Sequence, residues 1–210
     1  MNEIIPAILA PDEQTFHQRL DIAEKLAPLV QIDVLDGTLY PQTSWFDPLV
    51  VQQMDVAVDL ELHLMVSHPE KIIKACHNLR RVRRVIWHIE ARIDHAEAFL
   101  LCQEYGLQAG LAVAPATPIE EIEPFAEMVD EILVLGVEPG KSGQALMPET
   151  MRKARGIAQA WPGITMGFDG GVTAETIPQL RDVGVARFCA ASAIFNAPDT
   201  QIAFEKLKAA

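Results

Sequence analysis

Short apolar runs recur along the whole chain, separated by longer segments of mixed polarity. The runs lack a clear alternation of apolar and polar residues, which is typical of strands buried on both faces of a parallel sheet. We therefore predict eight strands from these runs. They are Ile4–Leu9, Leu29–Val34, Leu60–Met65, Val85–Ile89, Ala109–Val113, Ile132–Val137, Thr165–Phe168 and Arg187–Ala190.

Several of the intervening segments carry the pattern of an amphipathic helix. Asp12 is a predicted N-cap for a helix whose apolar stripe includes Phe16 and Leu20. Pro69 and the pair Thr117-Pro118 stand where the first turn of a helix accepts proline. Further helices are predicted for residues 173–183 and 199–207.

This succession of strands and helices favours a single (β/α)8 barrel that occupies residues 1–210 as one domain. An open, doubly wound sheet usually carries a glycine-rich GxGxxG turn after its first strand. The segment Ile4–Asp12 contains no glycine, which argues against that alternative.

Charge and composition exclude several classes of function. The formal net charge of −12 disfavours non-specific nucleic-acid binding, which needs a basic surface. No apolar run has the length of a membrane span, and residues 1–9 lack the basic start and cleavage site of a signal peptide. Three widely spaced cysteines without a CxxC motif are predicted to be reduced thiols. We therefore expect a cytoplasmic protein that contacts neither nucleic acid nor membrane.

Three ionisable residues interrupt predicted strands near their carboxyl ends, where barrels of this kind place their active sites. They are Asp33, His63 and Asp169. A buried ionisable group is costly unless it is paired or metal-bound. Each could simply tie neighbouring strands together, but three on separate strands at one level of the barrel favour a functional site.

Small residues follow the last three predicted strands. They allow backbone N–H groups to approach a ligand closely, and the loops after strands 7 and 8 form a recurrent phosphate site in such barrels. We therefore predict a phosphate-binding site. Its candidate residues are Gly140, Gly143, Gly170, Gly171, Ala191 and Ser192.

Across nearly its whole length the sequence resembles the ribulose-phosphate 3-epimerase family. Each of the motifs that carry the resemblance is weak alone, but together, in this order and spacing, they are specific. They are residues 5–10 with Asp12, Asp33-Val34-Leu35-Asp36-Gly37, His63-Leu64-Met65-Val66, residues 115–118, Pro139-Gly140 with Gly143-Gln144, Asp169-Gly170-Gly171-Val172 and Ser192-Ala193-Ile194-Phe195.

The resemblance implies an enzyme that interconverts D-ribulose 5-phosphate and D-xylulose 5-phosphate by inverting C3. Asp33 and Asp169 would then be the acid/base pair on opposite faces of the substrate. A divalent metal (Zn, Mn, Fe or Co) would be held by Asp33, His63, Asp169 and the position of Gln31. The implied substrate contacts add Ala7, His63, Lys141 and Ser142 to the phosphate-site residues.

Several positions at this site depart from the family pattern. Gln31 stands where the family has histidine, and its amide oxygen is a weaker ligand than imidazole for a zinc-like ion. Gln31 could still ligate a metal, or it could donate hydrogen bonds to substrate oxygens at a metal-free site. Ala7 replaces a serine, Lys141 and Ser142 replace a Phe-Gly pair, and Ala191 replaces a glycine.

Three functions are compatible with these residues. The first is a metal-assisted pentose-phosphate 3-epimerase. The second is an epimerase for another ketose phosphate, such as a hexulose 6-phosphate, which could work without metal. The third is a non-catalytic phosphosugar-binding barrel, against which the presence of both Asp33 and Asp169 counts. The expected partners are the phosphorylated ketose and further copies of the chain in a homo-oligomer.

Overall fold

A computed structural model describes residues 3–76, 78–140 and 142–210. Its eight strands pair in parallel and in sequence order, and β8 pairs with β1, which closes the barrel. The fold is therefore a (β/α)8 barrel, as predicted. The strands are β1 (Glu3–Ile8), β2 (Leu29–Leu35), β3 (Asp59–Met65), β4 (Val82–His88), β5 (Gln108–Val113), β6 (Glu131–Leu135), β7 (Thr165–Asp169) and β8 (Arg187–Ala190).

Helices connect the strands and cover the outside of the barrel. They are α1 (Glu13–Leu26), α2 (Pro48–Gln53), α3 (Pro69–Cys76), α4 (His95–Glu104), a 3₁₀ helix (Ile119–Phe125), α5 (Pro148–Ala160), α6 (Ile177–Asp182), α7 (Ser192–Phe195) and α8 (Thr200–Ala209). Within the described ranges, no helix combines the length and the apolar character that a membrane crossing needs.

All eight predicted strands are confirmed, whereas the helix predictions are less complete. The Asp12 side chain caps α1 by accepting a hydrogen bond from the Thr15 N–H, as expected. The segment after Pro118 forms a 3₁₀ helix that contains Pro124, whose ring would clash with the carbonyl of residue 120 in an α-helix. Helices α2, α4, α5 and α7 lie in segments for which the sequence pattern predicts no helix.

Helix α6 begins four residues later than the predicted 173–183 segment. The Thr176 hydroxyl accepts a hydrogen bond from the Thr173 N–H and donates one to the Gly171 carbonyl. These local bonds hold residues 171–176 in a turn, because threonine hydroxyls compete with helical backbone pairing.

Each strand directs alternate side chains outward to the helices and inward to the barrel axis. The outward side chains form the large apolar core between strands and helices. The inward side chains are mixed. A small apolar cluster fills the middle of the barrel, and charged or polar groups lie above and below it. The apolar cluster contains Ile5, Ala7, Ile86, Ala112, Leu133, Leu135 and Cys189.

A buried cluster of charges lies inside the barrel at the amino-terminal ends of the strands. Arg187 donates hydrogen bonds to Glu3, Glu61 and Glu131, and Arg84 contacts the same carboxylate oxygens of Glu61 (3.0 Å) and Glu131 (2.9 Å). Carboxylates outnumber guanidinium groups in this cluster. Burial, reinforced by the neighbouring Glu61, raises the pKa of Glu131 well above its ordinary value. The cluster holds strands β1, β3, β4, β6 and β8 together from the inside.

Replacing Arg187 with leucine should therefore strongly destabilise the fold, because it leaves the buried carboxylates of Glu61 and Glu131 with Arg84 as their one remaining cation among the described residues. We expect the free energy of unfolding in urea to fall by about 3–5 kcal/mol. The control is Arg83→Leu, which removes an exposed pair with Asp59 (3.2 Å) and should cost less than about 1 kcal/mol. Equal losses of unfolding free energy in the two variants would show that the buried cluster stabilises the fold no more than an exposed ion pair does.

Candidate active site

Asp33, His63 and Asp169 meet at the carboxyl-terminal end of the barrel. Asp33 and His63 are register partners on β2 and β3, and Asp169 is the last residue of β7. The His63 Nδ1 atom lies 3.1 Å from Asp33 Oδ1 and 3.3 Å from Asp169 Oδ2. The prediction that these three side chains share one level of the barrel interior is therefore confirmed.

Gln31 links the two carboxylates from below. It lies two residues deeper than Asp33 on the same face of β2 and is fully buried. Its Nε2 group donates to Asp33 Oδ1 and to Asp169 Oδ2, at 2.8 Å in each case. Its Oε1 atom is buried without a hydrogen-bond partner among the described residues. The amide therefore directs both of its donors at the aspartates and leaves its acceptor unused.

The surroundings of these groups shift their proton affinities. Burial, with a further contribution from Asp169, raises the pKa of Asp33. Burial alone would lower the pKa of His63, but its hydrogen bonds to Asp169 and Asp33 outweigh that effect and raise the pKa to about 9. At neutral pH these hydrogen bonds therefore favour an imidazolium between the two carboxyl groups.

A second polar layer supports His63 from behind. His63 Nε2 lies 3.0 Å from His88 Nε2, and His88 Nδ1 lies 2.9 Å from both Glu90 Oε2 and the Tyr40 hydroxyl. The other Glu90 oxygen accepts the Ala114 N–H at 2.9 Å. Burial lowers the pKa of His88. Burial opposes ionisation of Glu90, but the hydrogen bond from His88 prevails and lowers its pKa to about 2.

No residue of this second layer is among the predicted catalytic, metal-binding or substrate-binding residues, but the sequence does indicate His88 and Glu90 as supporting or core polar groups. A signal is present for His88 and Glu90, because they are polar residues at the end of a predicted apolar strand. Tyr40 carries no such signal. It lies in the loop after β2, 48 residues from His88 along the chain, and only the closed barrel brings the two together.

A cavity of about 150 Å³ opens above the three predicted residues. Asp33, His63 and Asp169 contribute to its wall, and the loops after β6, β7 and β8 form much of the rest. The predicted phosphate-site residues that line it are Gly140, Ser142, Gly143, Gly170, Gly171, Ala191 and Ser192.

Three predicted residues are placed differently. Ala7 and Gln31 are register partners on β1 and β2, both fully buried, and neither belongs to the described cavity lining. Both lie a layer deeper than Asp33, and their contact with a ligand stays a prediction. Lys141 lies outside the described residues.

Several glycines of the cavity wall have positive φ angles, and two of them follow Asp169 directly. Gly170 and Gly171 have φ angles of +91° and +70°, in the region that L side chains rarely adopt. A Cβ atom at Gly171 would also lie 2.8 Å from the backbone of Leu146. These residues turn the chain sharply after Asp169, so that the backbone of the loop faces the cavity.

The residues present fit a small divalent cation. One ligand atom each from Asp33, His63 and Asp169 lie within 4.8 Å of one another. The separations of 3.1 and 3.3 Å from the imidazole nitrogen are close to the roughly 3.3 Å expected between tetrahedral ligands with bonds of about 2.0–2.1 Å. The orphaned Gln31 oxygen could supply a fourth donor if the amide turned over.

Solved structures with the same architecture confirm the fold. A mutant tryptophan synthase alpha-subunit from Pyrococcus furiosus superposes with a TM-score of 0.72 at 13% identity, covering 98% of this chain and 96% of the other. Orotidine 5'-monophosphate decarboxylase from Sulfolobus solfataricus gives 0.65 at 12% identity, covering 99% and 96%. At such low identity the likeness shows the fold alone.

Sequence comparison is more specific. The family model of the ribulose-phosphate 3 epimerase family matches residues 3–195. The ribulose-phosphate 3-epimerase of Schizosaccharomyces pombe is 31% identical over 93% of this chain and 87% of its own length. That of Mycobacterium leprae is 32% identical over 98% and 93%. With a closed barrel and paired aspartates at its mouth, this chain belongs to the ribulose-phosphate 3-epimerase family.

Proposed function

We propose that the protein is an isomerase that interconverts D-ribulose 5-phosphate and D-xylulose 5-phosphate by moving a proton at C3. The observation that carries the proposal is the pair of aspartates, Asp33 and Asp169, on the wall of a cavity that glycine-rich loops also line. The relatives named above act, by their names, on ribulose phosphate, and they align over nearly the full chain.

The chemistry explains why two carboxyl groups are needed. The C3 proton is acidic because the neighbouring ketone stabilises the resulting enediolate, and returning a proton from the opposite face inverts the centre. One aspartate must therefore be ionised while the other holds a proton. The raised pKa of Asp33 brings this carboxyl group closer to the working pH.

Gln31 and His63 would hold this pair in place. Both aspartates are bonded to the same amide nitrogen and the same imidazole nitrogen, so neither can rotate without losing two contacts. Fixed positions of this kind keep the reacting groups aligned with C3 on both faces. A divalent cation held by Asp33, His63 and Asp169 would supply Lewis-acid stabilisation of the developing oxyanion.

The loops after β6, β7 and β8 would bind the phosphate group. Gly171 and Ser192 lie on the cavity wall, as does Ser142, and this arrangement suits backbone N–H and hydroxyl donors to an anion. Lys141 is a further candidate cation for the phosphate. Binding mainly through backbone donors is compatible with the acidic net charge of the chain.

Exchange of the C3 proton tests the proposal directly. We expect the purified protein in D₂O to incorporate deuterium at C3 of D-ribulose 5-phosphate and to form xylulose 5-phosphate, as followed by NMR. Slower exchange after chelation, restored by Mn²⁺ or Zn²⁺, would identify metal dependence. Binding of the phosphosugar without exchange would overturn the proposal and favour another ketose phosphate or a non-catalytic role.

Removing either acid/base group should slow turnover severely while the fold is kept. Asp33→Asn and Asp169→Asn are each expected to lower kcat by about 10²–10⁴-fold, the usual contribution of a positioned acid or base. Asp21→Asn, an exposed position on α1, is the control and should leave kcat unchanged. Substantial residual turnover in either active-site variant, with an unaltered circular dichroism spectrum, would contradict a mechanism with two bases.

Introducing the family's histidine at position 31 should strengthen metal binding. In Gln31→His an imidazole replaces an amide whose donors now face the carboxylates, so we expect the dissociation constant for Zn²⁺ in calorimetric titration to fall at least about tenfold. Gln31→Met, which provides no comparable ligand, is the control. If the histidine variant binds Zn²⁺ no better than the wild type, the Gln31 side chain is not at the fourth ligand position.

A further inference from the structure

A continuous chain of hydrogen bonds leads from the paired aspartates to Glu90. His63 Nδ1 faces the two carboxyl groups, and His63 Nε2 faces His88 Nε2 at 3.0 Å. The other ring nitrogen of His88 lies 2.9 Å from Glu90 Oε2. Both histidines are fully buried, so water cannot replace a mismatched partner. At each contact along this chain, one atom must therefore donate a proton and the other must accept it.

Counting donors and acceptors fixes the direction of the chain from the Glu90 end. An ionised carboxylate only accepts hydrogen bonds, and both oxygens of Glu90 face donors. The Ala114 N–H bonds one oxygen at 2.9 Å, so the other must accept a proton from His88 Nδ1. A neutral imidazole has one N–H group, which leaves His88 Nε2 as an acceptor. His63 Nε2 must then carry the donor proton.

This arrangement determines whether His63 Nδ1, the ring nitrogen that faces the two aspartates, carries a proton. When the Nε2 atom of a neutral His63 carries the proton, its Nδ1 lone pair points at the position between Asp33 and Asp169. We propose that Glu90, acting through His88, is a positioning residue that selects the His63 tautomer whose Nδ1 atom can bind a divalent cation. The inference rests on the proposed function, because it assigns the cation to the epimerase site described above.

Tyr40 is the alternative partner of His88 and does not replace Glu90 in this role. Its hydroxyl lies 2.9 Å from His88 Nδ1 and can either donate or accept, so it selects no tautomer by itself. Tyr40→Phe removes this hydroxyl and leaves Glu90 in place. It is therefore the matched control for any change at Glu90, since both side chains contact the same ring nitrogen.

Glu90→Gln is the decisive variant because it keeps the shape and changes the donor pattern. The Ala114 N–H requires the amide oxygen of the new side chain, which turns the amide N–H₂ group toward His88 Nδ1. His88 must then accept at Nδ1 and donate from Nε2, and His63 must accept at Nε2 and carry its proton on Nδ1. The lone pair needed for the cation is lost.

Two measurements follow the change. In ¹⁵N-histidine NMR of the metal-free protein, His88 should carry its proton on Nδ1 in the wild type and in Tyr40→Phe, and on Nε2 in Glu90→Gln. In calorimetric titration with Mn²⁺, Glu90→Gln should weaken binding by about 10–100-fold, the usual cost of losing the partner of a ligating histidine. Tyr40→Phe should stay within about threefold of the wild type.

A second pair of variants tests the same chain of hydrogen bonds, from Glu90 through His88 to His63, if Glu90→Gln does not fold. His88→Gln offers an amide that can accept from His63 and donate to Glu90, and it should keep Mn²⁺ affinity within about threefold. His88→Met has similar bulk without these groups and should lose about tenfold or more. Equal affinities of the glutamine and methionine variants would overturn the proposal.

The outcomes separate this inference from the proposed function. An unchanged His88 tautomer in Glu90→Gln overturns the inference that Glu90 selects the tautomers, whatever the enzymatic activity. A wild-type protein that binds no Mn²⁺ overturns the assignment of the selected tautomer to a cation. If the wild type binds Mn²⁺ and shows the expected tautomers but does not exchange the C3 proton, the proposed reaction is overturned. The inference that Glu90 selects the tautomers then still stands.

Discussion

Every second side chain of each strand points into a closed barrel, and an ionisable group there must find a partner or give up its charge. The rest of the structure follows from this constraint. Charged side chains form one layer around Arg187 and a second around His63, and the small apolar cluster that includes Ile86 and Leu133 lies between them. Within each layer the charged groups pair with one another, although Gln31 Oε1, Arg84 Nε and Glu131 Oε1 have no hydrogen-bond partner among the described residues.

The two layers differ in what they leave available. Around Arg187 the carboxylates of Glu61 and Glu131 are buried and paired with guanidinium groups, which suits a structural role. Around His63 the aspartates lie on a cavity wall and share their hydrogen-bond donors, so a proton or a cation can be exchanged there. The carboxyl-terminal layer is therefore the reactive one, because it combines paired charges with access for a ligand.

Gln31 shows how a buried side chain can hold a candidate active site from beneath its cavity. The amide donates a hydrogen bond to each aspartate, which fixes the distance between the two carboxyl groups. His63 completes the same arrangement from the side, oriented by His88 behind it. The donors and acceptors of these side chains, rather than the shape of the cavity alone, govern which ion or proton the site holds.

The apolar runs were enough to predict the eight strands, the barrel, and the level at which Asp33, His63 and Asp169 meet. Buried parallel strands appear as such runs in a sequence, and a polar residue near the end of one stands out. The glycine loops were also predictable, since Gly170 and Gly171 follow directly after a strand. The late start of α6 and the 3₁₀ helix escaped prediction, because proline and threonine override a helical pattern locally.

Which polar groups pair with each other became clear only in the folded barrel. Gln31 bonds to a carboxylate 138 residues away, and Arg187 to one 126 residues away, so these contacts exist only after the barrel has closed. The reason is physical. Because side chains alternate between the two faces of a strand, the sequence assigns a side chain to the barrel interior. Which partner it meets there depends on how all eight strands are shifted relative to one another.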